Sequence, residues 1–211
     1  MSELQLKTEQ VVAILTETIR DYAPVTFANS LGAEDMVLTD IIDRYQLNID
    51  MFSLDTGRLP QETYDLMQTV RERYKTPLRI YFPNVKQVEA YVAENGVNGF
   101  YESIELRKEC CHIRKVEPLR RALYGKRAWI TGIRQDQAST RLSLKVSTYD
   151  MGNRMQKVNP LLEWSNAEIW EYLKQHEVPY NKLHIRSGRW WWEAPETKEC
   201  GLHTGKVIPL K

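Results

Sequence analysis

Three kinds of stretch in this 211-residue chain combine nucleophiles, cations and small residues in ways that suit chemistry on an anion. Towards the end, Arg186, Arg189 and the triplet Trp190–Trp192 precede Glu199, Cys200, Gly201 and His203. A thiol beside a glycine, with arginines and a histidine close in sequence, suits nucleophilic attack on an anionic substrate, because nearby cations favour the thiolate. Tryptophan triplets also occur in cores and interfaces, but neither setting calls for a neighbouring cysteine. A second stretch, Arg107-Lys108-Glu109-Cys110-Cys111-His112-Ile113-Arg114-Lys115, surrounds an adjacent cysteine pair with four basic residues. On a helix adjacent residues point about 100° apart, which is awkward for one packing face. Two irons of a cluster could take one thiolate each; the alternative for either cysteine is a small buried apolar side chain.

The third kind is a set of strand-exit loops. Ser30-Leu31-Gly32-Ala33-Glu34-Asp35 lies between an apolar strand and a helix start, where small residues let backbone N–H groups and the helix dipole meet an anion. It is neither a Walker A loop nor a GxGxxG fingerprint. In Leu54-Asp55-Thr56-Gly57-Arg58-Leu59-Pro60, Asp55 and Thr56 could hydrogen-bond a ribose or base, Gly57 permits close approach, and Arg58 could serve an anion. Thr131-Gly132-Ile133-Arg134, with Gln137, Ser139, Thr140 and Arg141, offers hydroxyls and two guanidinium groups that suit phosphate or sulfate. Each loop alone can be a turn built for geometry, yet all three lean the same way.

The elements that must carry these loops alternate. Leu4–Tyr22 reads as an amphipathic helix, PVTFANS as a buried strand and AEDMVLTDIIDRY as a helix opening on acidic residues. NIDMFSLDTG and PQETYDLMQTVRERY repeat the unit, with Pro60 near the first turn, as do LRIYFPN and VKQVEAYVAEN. IELRKECCHIRKVEPLRRAL reads as one further helical stretch, RAWITGIR as a fourth strand, and SNAEIWEYLKQHE as a late helix capped by Ser165 or Asn166. Such alternation predicts an α/β fold with a mostly parallel sheet and helices on both faces, and ligands at the carboxyl ends of its strands.

Composition narrows the partners. With 29 basic and 28 acidic residues the net charge is +1, so no bulk field points to nucleic acid or a membrane surface. No basic segment leads into an apolar one at the N-terminus, and no apolar run approaches the roughly 18 residues needed to span a bilayer. Three cysteines, an odd number with two adjacent, argue against a disulfide framework and for a reducing compartment, so a cytoplasmic location is expected.

Taken together, SLGAEDMVLTD, SLDTGRLPQETY, KECCHIRKVEPL, TGIRQDQASTR, KVNPLLEWS, RSGRWWWE and KECGLHTG run in collinear order over nearly the whole chain. In these motifs the sequence resembles assimilatory adenylyl-sulfate (APS) reductases, sulfonucleotide reductases of the adenine-nucleotide alpha-hydrolase-like (PP-loop) fold. The resemblance implies a domain over residues 1–184 and a C-terminal segment, 185–211, that carries the nucleophile. It implies that Cys200 attacks the sulfur of APS, that AMP leaves, and that thioredoxin or glutaredoxin releases sulfite from the resulting thiosulfonate. By the same resemblance Lys115, Arg186 and Arg189 bind the phosphosulfate and His203 is the histidine after the nucleophile. Ser30, Gly32, Glu34 and Asp35, then Asp55, Thr56, Gly57 and Arg58, match the nucleotide loops, and Arg134 and Arg141 match the arginine-containing loop. An oligomer of identical chains is implied as well.

One departure stands out. The family resembled here binds a [4Fe–4S] cluster through an adjacent cysteine pair and a later Cys-x-x-Cys, whereas this chain holds only Cys110 and Cys111 besides the nucleophile. His184 runs straight into Ile185 and Arg186, as though a loop had been cut out between NKLH and RSGRWWWE. Either a loop has been left out or removed, or this is a natural cluster-free variant; retention of Cys110-Cys111 favours a loop left out. Other readings are a reductase of the 3′-phosphorylated nucleotide (PAPS), which resembles this fold but usually lacks the cysteine pair, and an inactive AMP-binding relative in which Cys200 is structural. Turnover on the two nucleotides separates the first, and AMP binding without a covalent adduct would mark the second. An ATP-splitting relative would carry an SGGxDS-type loop, which is absent.

Overall fold

The computed structural model describes residues 2–135 and 144–184. Ser2 accepts a hydrogen bond from the Gln5 N–H and so caps α1 (Glu3–Tyr22), whose Leu4, Thr8, Val11, Leu15 and Thr18 recur at helical spacing on the buried face. Then follow β1 (Val25–Ala28), α2 (Ala33–Arg44), β2 (Asp50–Leu54), α3 (Gln61–Arg73), β3 (Leu78–Tyr81) and α4 (Val85–Asn95). The βα alternation expected from the sequence is therefore present, with Pro60 directly ahead of α3.

The stretch expected as helical is helical throughout, in three consecutive segments. A 3₁₀ turn (Gly99–Tyr101) leads to α5 (Ile104–Cys111), a π-helical turn (His112–Val116) and α6 (Glu117–Leu123). Pro118 supplies the reason: it has no N–H for the Arg114 carbonyl and its ring crowds that oxygen, and the wider π turn just ahead accommodates both. After β4 (Ala128–Ile130) comes an element that the sequence reading did not anticipate, a hairpin of β5 (Ser147–Asp150) and β6 (Met155–Val158). Its four-residue strands are too short and too polar to show a clear alternation. α7 (Asn166–Gln175) closes the described chain, and its cap is Ser165, which forms a reciprocal capping box with Glu168.

The six strands lie in the order β3-β2-β1-β4-β6-β5. β1 pairs in parallel with β2 and β4, β4 pairs in parallel with β6, and β5 runs antiparallel to β6. A parallel strand in the middle of a sheet needs both faces covered. β1 meets that need, with Val25, Thr26 and Phe27 all buried, inside a core that includes Leu15, Met36, Ile41, Ile130 and Leu161.

The chain divides into two compact units. The first comprises the described residues of Met1–Ser53, Thr63–Arg79 and Leu123–Asn181, and holds that core. The second comprises Leu54–Glu62, Ile80–Ala122 and residues 182–184, with a smaller cluster of Tyr91, Phe100, Cys110 and Ile113.

Candidate active site

In the first unit, topology singles out one place. The chain moves from β1 to β2 in one direction, then returns to β4 on the other side of β1. Phe27 lies opposite Ile130, so the segments leaving β1 and β4 depart side by side in the same direction. A reversal of strand order of this kind opens the crevice in which open α/β sheets bind ligands.

Residues of both departing segments are tied together there. The Asn29 side chain accepts from the Leu31 N–H at 2.7 Å and donates to Thr39 Oγ1 at 2.7 Å, forming a local turn that carries Leu31 into the left-handed region, φ 63°. Left-handed backbone costs a branched residue about 1–2 kcal/mol, and burying a leucine contributes about 1.5–3 kcal/mol. With its side chain 1% exposed, Leu31 gains more than it loses. Ser30 donates to Asp35 Oδ2 from both its backbone N–H and its hydroxyl, each at 2.6 Å. Burial pushes the Asp35 carboxyl up to about 6, against the hydrogen bonds from Ser30 and from the Gly132 N–H, which favour the anion. A Cβ on Gly132 would sit 2.2 Å from Asp35 Oδ1, so only glycine lets the β4 exit approach so closely.

Beside this contact Arg134 donates from Nε to Glu34 Oε1 at 2.8 Å, and the two side chains are 1% and 6% exposed. The expectation of Ser30–Asp35 as an open anion loop is corrected on one point: the Ser30 N–H already serves the chain's own carboxylate. Arg134, expected to grip phosphate or sulfate, is buried with its guanidinium against the Glu34 carboxylate. The structure thus brings together Ser30, Gly32, Glu34, Asp35 and Arg134.

The loop after β2 belongs to the second unit. Asp55 is buried, donates its N–H to the Tyr81 carbonyl at 2.9 Å and accepts from the Gly57 N–H at 2.7 Å. Gly57 has φ 71°, and a Cβ there would come within 3.3 Å of Arg114 Nη1. That same Nη1 donates to the Thr56 carbonyl at 2.6 Å. Arg114 is a functional candidate that sequence reading missed, since the basic run around the cysteines read only as a field for thiolates. Arg58, expected to serve an anion, donates to the Val97 carbonyl at 2.8 Å and to Asn98 Oδ1 at 3.1 Å, and lies 4.6 Å from the Phe100 ring centroid. These contacts anchor residues 55–58 and leave the Arg58 side chain exposed.

Cys110 is a buried free thiol packed with Tyr91, Phe100 and Ile113; Cys111 and Lys115, 1% and 8% exposed, follow on the same helical run. A [4Fe–4S] cluster takes four protein thiolates. Among the described residues only Cys110 and Cys111 are cysteines, and no group of three or more His, Cys, Asp or Glu able to hold a metal occurs there. The residues present do not fit such a cluster. Arg141, Arg186, Arg189, Cys200 and His203 lie outside the described residues. No helix among the described residues is long and apolar enough to cross a membrane.

A mostly parallel sheet with this switch point defines a protein of the adenine-nucleotide alpha-hydrolase-like class. Its likenesses agree: an NH3-dependent NAD synthetase from Campylobacter jejuni shares the fold with a TM-score of 0.60 at 13% identity, over 89% of this chain and 79% of that one. More specifically, residues 24–187 match the phosphoadenosine phosphosulfate reductase domain, and the chain belongs to that family. A phosphoadenylyl-sulfate reductase from Candida auris, solved with phosphate, superposes with a TM-score of 0.71 at 26% identity over 88% of this chain and 92% of that one. Adenosine 5′-phosphosulfate reductases from Allochromatium vinosum and Burkholderia cepacia are each 44% identical, over 97% and 99% of this chain and 89% and 92% of their own. These alignments run over 227 and 229 residues against a chain of 211, so both relatives carry internal residues that this chain lacks.

Proposed function

We propose that this protein reduces adenylyl sulfate to sulfite and AMP. The observation that carries the reading is 44% identity to a relative named for that reaction over 99% of the chain, which leaves too few residues unmatched to omit the segment of Cys200. In the proposed cycle the Cys200 thiolate attacks the sulfur of the substrate's sulfate, the S–O bond to the phosphate breaks, and AMP departs with the electron pair. Cys200 then carries –SO₃⁻ as a thiosulfonate. One thiol of a reduced thioredoxin or glutaredoxin attacks the Cys200 sulfur and sulfite leaves; the second thiol resolves the mixed disulfide and returns the thiolate. Both electrons come from that dithiol, so the cycle fits a reducing, cytoplasmic setting.

The obstacle is charge, since an anionic nucleophile meets an anionic substrate. Lys115, Arg186 and Arg189 offset it in this reading, while Ser30, Gly32, Asp55, Thr56 and Gly57 contact the nucleotide. Arg58 and Arg134 hold backbone in place. No step passes through an iron–sulfur cluster.

Intact mass after anaerobic incubation with APS and no reductant tests the scheme. The expected result is gain of one SO₃ group, lost on adding thioredoxin and absent in Cys200→Ser, which still binds AMP. Sulfite formation by Cys200→Ser would sink the assignment. Faster turnover of PAPS than of APS would instead favour the reaction for which the Candida auris protein is named.

A further inference from the structure

We propose that Glu34 and Arg134 are a positioning pair that locks the segment leaving β4 to the first turn of α2, so that the two sides of the β1–β4 crevice meet a nucleotide as one preset surface. The proposal rests on the reading of these loops as nucleotide-binding. Its basis is a contrast between what a buried ion pair does for stability and what this one does for geometry. Burying two charges costs several kcal/mol per ion, and their attraction rarely does more than offset that, so a well-packed apolar pair would serve stability as well. An apolar pair would not fix a direction. The planar guanidinium of Arg134 does: Nε reaches Glu34 Oε1 at 2.8 Å, with longer approaches from Nη1 to the Trp164 carbonyl at 3.4 Å and from Nη2 to Asn166 Oδ1 at 3.5 Å. One group therefore spans its own loop, the start of α2 and the turn that enters α7.

The rest of the segment is held to match. Thr131 donates to the Val158 carbonyl from its backbone and to Asn159 Oδ1 from its hydroxyl, and the Gln135 N–H donates to the Leu162 carbonyl at 2.9 Å. Gly132 rests on Asp35, one residue from Glu34. Arg134 is the only part of this segment, among the described residues, that brings a countercharge to α2. At 1% exposure it acts through Glu34 rather than on the substrate.

The test compares wild type with Arg134→Lys, Arg134→Gln, Glu34→Gln and the double variant Glu34→Gln/Arg134→Gln. AMP affinity is measured by calorimetry, APS turnover by kcat and KM, and cooperative melting checks the fold. Each single neutral variant is expected to weaken AMP and APS by the same factor, on the order of tenfold, because a displaced loop is felt by the shared nucleotide. Arg134→Lys, which keeps the charge and loses the fork, should fall between, and the double variant should be no worse than the worse single one. A greater loss for APS than for AMP would put Arg134 on the phosphosulfate and overturn the proposal. So would unchanged AMP affinity in variants that only melt earlier, or additive losses in the double variant. Failure of the functional reading looks different: wild type itself would then neither bind AMP nor turn over APS, leaving the pair nothing to position.

Discussion

Asp35 shows how one side chain can make a loop depend on pH. Its carboxyl is raised from the usual 3.8 to about 6, with burial as the main cause and the neighbouring Glu34 charge adding to it. A carboxyl whose value is higher folded than unfolded holds its proton more tightly in the folded state, so stability falls as pH rises through that window. In Asp35→Asn the slope disappears. The stability of wild type relative to Asp35→Asn, from urea unfolding, should therefore decline between roughly pH 4 and pH 7. A flat difference, or a rising one, would mean that the carboxylate is better solvated than its burial implies. The same window bears on binding, because protonation weakens the hold of the Ser30 N–H and hydroxyl on the loop.

Among elements, the junction of the β4 exit with α2 makes the sharpest demand. A methyl group on Gly132 would meet Asp35 Oδ1 at 2.2 Å and the Asp35 backbone nitrogen at 3.2 Å, and backbone cannot step aside as a side-chain tip can. Gly132→Ala should cost about 1–3 kcal/mol in denaturant unfolding, the usual penalty for overpacking. Gly32→Ala is the control in the same loop. Its nearest atoms lie 3.4 and 3.7 Å away and its φ is −72°, so only the weaker capping ability of alanine counts, roughly 0.5–1 kcal/mol. A larger loss at Gly32 than at Gly132 would show that the close approach is not what constrains this junction. The π turn poses a parallel case, since Pro118 widens the helix just where Arg114 must reach the Thr56 carbonyl.

For the whole chain the open question is iron. Two cysteines on one helical run, Cys110 packed among Tyr91, Phe100 and Ile113, are too few for a four-thiolate site, and the longer relatives carry residues that this chain does not. Protein purified anaerobically should hold far less than four irons per chain and lack the broad visible absorbance of a cluster, yet form the thiosulfonate with APS. Four irons with matching sulfide would overturn the cluster-free account of this 211-residue chain.

Much of the molecule was legible in order and kind. Apolar periodicity marked α1, β1 and α2, and collinear motifs marked the family, because helix faces, strand alternation and cap residues are local properties written within a few residues of each other. The β5–β6 hairpin was not legible, being held by pairing across the sheet rather than by its own four-residue pattern. Neither was the division of labour among the arginines. Arg58, Arg114 and Arg134 look alike in sequence, each a cation near a loop. Which of them meets Asn98, the Thr56 carbonyl or Glu34 depends on contacts between residues 40, 58 and 100 positions apart. Such contacts come into being only when the sheet closes, and no local pattern encodes them. The chemistry on offer could thus be read along the chain, whereas the partner each guanidinium takes was decided by which distant segments the fold brings beside it.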